Sequence, residues 1–371
     1  MSKKLVSKVA AAVAAGSILL VATSANAATL VTGQSIKGSG SSFAYNGISK
    51  CNALYDSNTV TYDSTGSGTG RTNFKDSSAT YSFAVSDGLY TAGSEPVDPL
   101  GGSGYTMAAL FGGPVVFAYG RAVPAGIKLD AATVSGILKG TITKWGDKAI
   151  KNQNKQITSS KTWTKLANRS ISVFYRTGNS GTNENLTNYL AQTLGSGWTK
   201  NQAINTGAGQ TLAGIGKATS ALVADNVEAN AYGFGYFDLS DAKSANVRIA
   251  LLKNKRGQYI APTAAAGALF LNAQTLGTAS GSRTDGTMSS LGSAGSGIDF
   301  TKSVKNAYQL TIVTYAVAPK GATSDKAKAV EDYLTFVVNN CMPSQASRLG
   351  YVALTGALKT NALAQIAGIS N

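Results

Sequence analysis

Three times in this chain a short apolar strand runs into a polar Gly/Ser/Thr turn that opens a helix, and this repeated unit limits the fold more than any other feature. The clearest copy spans Ile171 to Leu194. Ile171, Val173 and Tyr175 alternate as a strand does, and Arg176 closes the run. Thr177 to Ser180 is built of turn formers, and Ser180 or Thr182 can cap the helix that follows. Glu184 suits the first turn of that helix, and Leu186, Tyr189, Leu190 and Leu194 give it an apolar face. A second copy reads as a strand from Leu30 to Lys37, the turn Gly38-Ser-Gly-Ser-Ser-Phe43, and a helix to about Tyr55 with Ser41 and Ser42 as candidate caps. The third runs from Val60-Thr-Tyr62 into Gly66-Ser-Gly-Thr-Gly-Arg71 and a short helix. Strands alternating with helices predict an α/β fold with largely parallel sheets. Ligands in such sheets bind at the C-terminal ends of the strands, where these turns sit.

The first turn of a helix exposes unpaired N–H groups and carries partial positive charge. A strand-end arginine, the hydroxyls of Ser180 and Thr182 and free amides converging there would make an oxyanion site. The competing reading is an ordinary capped helix beside a surface arginine. The Gly66–Arg71 turn lacks the Lys-Ser/Thr of a nucleoside-triphosphate loop and is no convincing dinucleotide fingerprint. Tyr81 to Val85 reads as a strand ending at Ser86-Asp87-Gly88. Asp87 is either a turn residue or faces the same cleft as Arg176.

The 371 residues suffice for two domains, and a 43% hydrophobic content supports a sizeable core. The chain has no histidine, which excludes Ser-His-Asp and Cys-His catalysis and histidine-ligated zinc. No carboxylate cluster suggests another metal, so neither a hydrolase nor a cofactor is expected. Residues 1–27 read as a cleavable secretory signal: Lys3, Lys4 and Lys8, an apolar run from Val9 to Val21, then Ala25-Asn26-Ala27. No cysteine stands at the cleavage point, so a lipid anchor is not expected, and the protein should be periplasmic or secreted. Beyond Ala27 the chain has 30 basic and 18 acidic residues, a charge of +12. The basic residues are scattered and not interleaved with aromatics, which points to a general attraction for anions and away from nucleic acid. Cys51 and Cys341, in an exported chain, suggest a disulfide, with two separate buried thiols as the alternative.

Elsewhere, Leu110–Tyr119 and Leu310–Val317 read as near-continuous apolar strands that could cross between domains. Leu129–Lys139, Ala327–Asn339 and 356–367 read as helices, and Tyr232–Phe237 and Val247–Leu252 as strands. Residues 151–165 look like a lysine-rich surface loop, and 276–298 a Gly/Ser/Thr-rich one.

Four segments in order carry a family resemblance: Gly38-Ser-Gly-Ser-Ser-Phe43, Tyr62-Asp-Ser-Thr-Gly-Ser-Gly-Thr-Gly70, Phe83-Ala-Val-Ser-Asp87 and Arg176-Thr-Gly-Asn-Ser-Gly-Thr182. Leu138 to Trp145 and Tyr232-Gly-Phe-Gly-Tyr236 support it. Together they resemble the phosphate-binding protein of the bacterial phosphate ABC transporter, a class II periplasmic binding protein. The resemblance implies two lobes, each a mostly parallel sheet flanked by helices, joined by two crossing strands. Residues 28–116 with 310–371 would form one lobe and 117–309 the other. Inorganic phosphate would lie between them, and an inner-membrane ABC permease would receive it from a monomeric, non-catalytic carrier. By position, Ser42 and Ser67 would offer hydroxyls, Phe43 its backbone N–H, Asp87 an acceptor and Arg176 its guanidinium. Ser180, Gly181 and Thr182 would supply donors at the helix start. A carboxylate in an anion site helps only a ligand that brings a proton, which phosphate does and sulfate at neutral pH does not.

The chain departs from the family at Gly178, where an acid usually follows the arginine by two, and at Asn179, Ser42 and Ala44. The loss at Gly178 removes an expected orienting partner of Arg176 and keeps another tetrahedral oxyanion in view. An extracellular structural or adhesive protein that retains the fold is the remaining alternative.

Overall fold

A computed structural model describes residues 31–76, 80–90, 104–205, 210–275 and 297–370. The proposed signal segment and most of the 276–298 stretch lie outside these residues.

The strands are, in order, β1 (Ser35–Gly40), β2 (Thr59–Asp63), β3 (Phe83–Ser86), β4 (Tyr105–Tyr119), β5 (Lys128–Leu129), β6 (Ser172–Arg176), β7 (Ile215–Lys217), β8 (Gly233–Asp238), β9 (Arg248–Ile249), β10 (Leu251–Lys253), β11 (Tyr259–Ile260), β12 (Thr311–Pro319) and β13 (Val352–Ala353). Among the described residues, ten of them form one curled sheet, in the order β2-β1-β3-β12-β4-β8-β6-β7, with β9 and β13 also on β4. β1 runs parallel to β2 and β3, and β6 runs parallel to β7 and β8. These two parallel sets are the sheets of two lobes. β4 joins them: its first part pairs antiparallel with β12, its last five residues with β8. β12 enters at that junction, where Leu310 accepts a hydrogen bond from the Val115 amide. Buried on both faces, β4 and β12 are apolar almost throughout. β5, β10 and β11 make a small separate sheet.

The helices are α1 (Tyr45–Asn52), α2 (Ser67–Asp76), α3 (Ala131–Leu138), α4 (Lys148–Gln153), α5 (Ser160–Ala167), α6 (Gly181–Leu194), α7 (Ser220–Glu228), α8 (Leu239–Ser244), α9 (Ala264–Asn272), α10 (Asp325–Phe336), α11 (Met342–Leu349) and α12 (Gly356–Ile366). α6 has the apolar face its spacing predicts: Leu186, Tyr189 and Leu190 are fully buried, and Gly195 ends it in a left-handed conformation.

Several boundaries differ from the sequence reading. The first strand starts at Ser35 and runs to Gly40, so its polar end belongs to the sheet and the helix waits until Tyr45. Residues 151–165 are not one surface loop. Asp147 and Ser159 cap α4 and α5 by accepting from the amides of Ala149 and Thr162. Ile150, Trp163 and Leu166 bury an apolar side that the lysines masked. Val247–Leu252 splits, β9 pairing with β4 and β10 with β5 and β11. The helix begun at Asp325 continues through a π-helical turn, Val337–Cys341, into α11.

Cys51 on α1 is bonded to Cys341 at the end of that turn, 290 residues away in sequence. It ties the helix that follows the first polar turn to the C-terminal helices.

Candidate functional site

Each polar turn lies at the C-terminal end of a parallel strand, and the turns of the two lobes face each other. β1 delivers Ser41 and Ser42, β3 delivers Asp87, α2 opens with Ser67, and β6 ends in Arg176 before Ser180 caps α6. All eight residues anticipated from the sequence lie in this region, and all are buried.

Asp87 is the centre of one cluster. The Ser41 hydroxyl donates to its carboxylate at 2.7 Å from either oxygen, and the Ser67 hydroxyl donates to Oδ2 at 3.1 Å. The Asp87 amide in turn donates to Ser67 Oγ at 3.1 Å. Burial pushes the Asp87 pKa up, with the hydroxyls and the Arg176 charge pulling the other way. The start of α6 presses against this cluster. A Cβ on Gly181 would lie 2.4 Å from Ser67 Oγ and 2.9 Å from Asp87 Oδ2, so the approach requires glycine. Asn185, one turn on, donates to the Asp87 carbonyl at 2.7 Å.

Arg176 is the centre of the other. It is only 2% exposed, and its Nη1 donates to Ser42 Oγ at 2.5 Å and to Ser220 Oγ at 3.3 Å. Burial lowers its pKa, opposed by Tyr236, Asp87, Asp238 and Asp241. Its Nε and the Thr182 hydroxyl are buried with no hydrogen-bond partner among the described residues. Buried donors without acceptors are rare and costly. Two of them beside a capped helix start fit a multivalent oxyanion, whose oxygens are acceptors.

Phe43 is placed differently from the hydroxyl donors. Its ring packs edge-on to Tyr351, at a centroid distance of 5.7 Å, and its carbonyl accepts from the Tyr351 hydroxyl at 2.7 Å. This fixes the backbone of the first turn. Ser180 accepts from the Asn183 amide at 3.3 Å as a helix cap.

Sequence reasoning did not place Ser41, Ser220, Asn183 and Tyr236 in the site. Ser41 was legible only as a cap, and it does accept from the Ala44 amide at 3.1 Å while donating to Asp87. Ser220 opens α7 behind the capping Thr219. The stretch from β7 to α7 is a further strand–turn–helix unit, and its Thr-Ser pair before Leu222, Val223 and Val227 was the available signal. Tyr236 donates to Asn183 Oδ1 at 2.6 Å, and Asn183 donates to the Arg176 carbonyl at 2.9 Å. This chain of bonds fixes the strand end relative to the helix.

Gly178 has φ +69°, a left-handed conformation that disfavours an acid there. The arginine contacts Ser42 and Ser220 instead, so hydroxyls from both lobes orient it.

Two α/β lobes sharing a curled sheet, with a buried cationic cradle at the facing strand ends, define a two-lobed solute-binding protein. The profile of the PBP superfamily domain matches residues 22–340, and the chain belongs to that superfamily. It is similar to the phosphate-binding protein PstS of Xylella fastidiosa strain Temecula1, at 28% identity over 86% of this chain and 81% of that one. It is also similar to PstS of Pasteurella multocida, at 30% identity over 62% of this chain and 64% of that one. Among solved structures, a high-affinity periplasmic phosphate-binding protein bound with phosphate superposes with a TM-score of 0.69 at 18% identity. That match covers 89% of this chain and 93% of that one. The phosphate-binding protein from Stenotrophomonas maltophilia gives 0.63 at 18% identity, with the same coverage. These structural matches speak to the fold.

Proposed function

We propose that this protein captures inorganic phosphate between its two lobes and delivers it to an ABC permease. The observation that carries the reading is Asp87: a buried carboxylate held by two hydroxyls inside a site otherwise made of donors. A buried carboxylate inside an anion cradle is unfavourable unless the anion donates a proton to it. HPO4 and H2PO4 do so. In this reading Arg176 pairs with phosphate oxygens through the side of its guanidinium that includes Nε. Ser42, Ser67 and Thr182 give hydroxyls, and Phe43, Gly181 and Thr182 give amides, with Ser180 positioning the helix. The lobes are residues 28–116 with 310–371 and residues 117–309. The relatives' names, which are those of phosphate-binding proteins, favour phosphate over a purely structural role.

We further read residues 1–27 as a cleavable signal, the mature protein as a periplasmic or secreted monomer, and its role as carriage without catalysis. Phosphate-stripped protein titrated calorimetrically with phosphate tests the reading. Saturable one-to-one binding is expected. Absence of heat and of thermal stabilisation at millimolar phosphate would overturn it in favour of the structural alternative.

A further inference from the structure

We propose that Glu184 and Arg71 form a charged latch between the lobes that holds α6 closed on Asp87 and so sets how long the bound anion is retained. This rests on the phosphate-binding reading of the site and adds to it a positioning pair outside the anion cradle.

Arg71 lies on α2 and is anchored within its own lobe. Its Nη1 donates to Ser86 Oγ at 2.6 Å and to the Gly88 carbonyl at 2.8 Å. Its Nη2 reaches across, donating to Gln202 Oε1 at 2.5 Å and standing 3.8 Å from Glu184 Oε2. Glu184 comes from the other lobe, in the first turn of α6, and Lys200 holds its second oxygen at 3.0 Å. Both Arg71 and Glu184 side chains are about one-tenth exposed. The guanidinium is therefore fixed before closure, and closure brings it a carboxylate and an amide oxygen.

Three residues on one face of α6 dock on the end of β3. Gly181 meets Ser67 and Asp87, Asn185 binds the Asp87 carbonyl, and Glu184, between them, meets Gly88. Positions three and four apart lie side by side on a helix. A Cβ on Gly88 would fall 2.0 Å from Glu184 Oε2, so this glycine gives the carboxylate its seat. Residues 200–202 brace the same turn: the Gln202 carbonyl accepts from the Ser180 amide and from Asn183 Nδ2. A cleft of about 500 Å³ opens on the pair, lined among others by Lys75, Tyr90 and Asn179, so solvent ions reach the latch.

The simpler account makes Glu184 an acid that suits a helix N-terminus. The two accounts predict opposite signs. Without the latch role, Glu184→Gln removes a negative charge from the helix turn that receives the anion, so phosphate should bind tighter and leave more slowly. With it, the variant releases phosphate about tenfold faster at low salt, with the association rate changed much less, because losing one partner of a buried charged pair acts mainly on dissociation. The difference should shrink at high salt. Gly88→Ala, which fills the carboxylate's seat while its backbone lies outside the left-handed region, should behave alike.

The experiment is stopped-flow phosphate release from wild type, Glu184→Gln, Gly88→Ala and Arg71→Gln/Glu184→Gln. It is paired with spin-label distances between Thr323→Cys and Lys155→Cys, one exposed site in each lobe. The double variant should release little faster than Glu184→Gln. In ligand-free protein, Glu184→Gln should shift the interlobe distances toward longer values. Unchanged or slower release with unchanged distances would overturn the latch. Wild type that binds no phosphate would overturn the phosphate reading, and the ligand-free distances would still decide the latch.

Discussion

Asp87 stands in the protein as a buried acid held by the hydroxyls of Ser41 and Ser67 and covered by the start of α6. Its raised pKa means the folded protein holds that proton more tightly than the unfolded chain, whose value is near 3.8. The stability this group contributes is present below about pH 4 and is lost as pH rises through the folded value. Asp87→Asn should therefore raise the melting temperature of the ligand-free protein at pH 7, and the gain should vanish toward pH 4. Melts of both proteins across that range check it, and an unchanged or lower melting temperature at pH 7 would count against the assigned cost. Arg176→Ala removes the site's central charge and should weaken phosphate binding by about 2–5 kcal/mol, roughly thirty-fold to several-thousand-fold. Calorimetry or a competition assay reads that loss. At this scale the sequence was informative about residue type. Arg176, Asp87 and Ser67 stand at strand ends and a helix start, where chemistry can be read locally. Ser41 and Ser220 were not legible as site members, because a hydroxyl's second role depends on what a distant segment brings to it. Only the fold puts Ser220 beside Ser42, 178 residues earlier.

The unit that matters at the scale of elements is β6–turn–α6. Alternation predicted the strand, and the Leu186, Tyr189 and Leu190 spacing predicted the helix. Ser180, one of the two candidates, is its cap, and Thr182 lies inside the first turn with no hydrogen-bond partner for its hydroxyl among the described residues. Ser180→Ala should cost about 1 kcal/mol of stability and loosen the amide array as well. Chemical denaturation and phosphate affinity should fall together, and a change in one alone would separate the cap from the anion site. The element-level error at 151–165 has a plain cause. The two short helices bury only Ile150 in one and Trp163 and Leu166 in the other, and the lysines among them made the composition read as surface, although Asp147 and Ser159 stand where the caps are needed.

On the scale of the whole molecule, the shared strand β4 and the 290-residue span closed by Cys51–Cys341 hold the assembly together. Such a long loop loses much unfolded-state entropy when closed, so reduction should lower stability by about 2–4 kcal/mol. It should do so without abolishing phosphate binding, since neither cysteine is in the cradle. Denaturant midpoints with and without reductant test this, and an unmoved midpoint would contradict it. The two-lobed plan was legible from four motifs in order. The pairing of β12 with β4 depends on long-range contacts that local patterns do not encode.

The most direct test of the account is the phosphate-to-sulfate affinity ratio of wild type and Asp87→Asn at pH 7, by calorimetry on phosphate-stripped protein. Asp87 as acceptor of the ligand's proton predicts a large ratio in wild type that collapses in the variant, chiefly through a gain in sulfate binding. A ratio that stays the same in both proteins would contradict it.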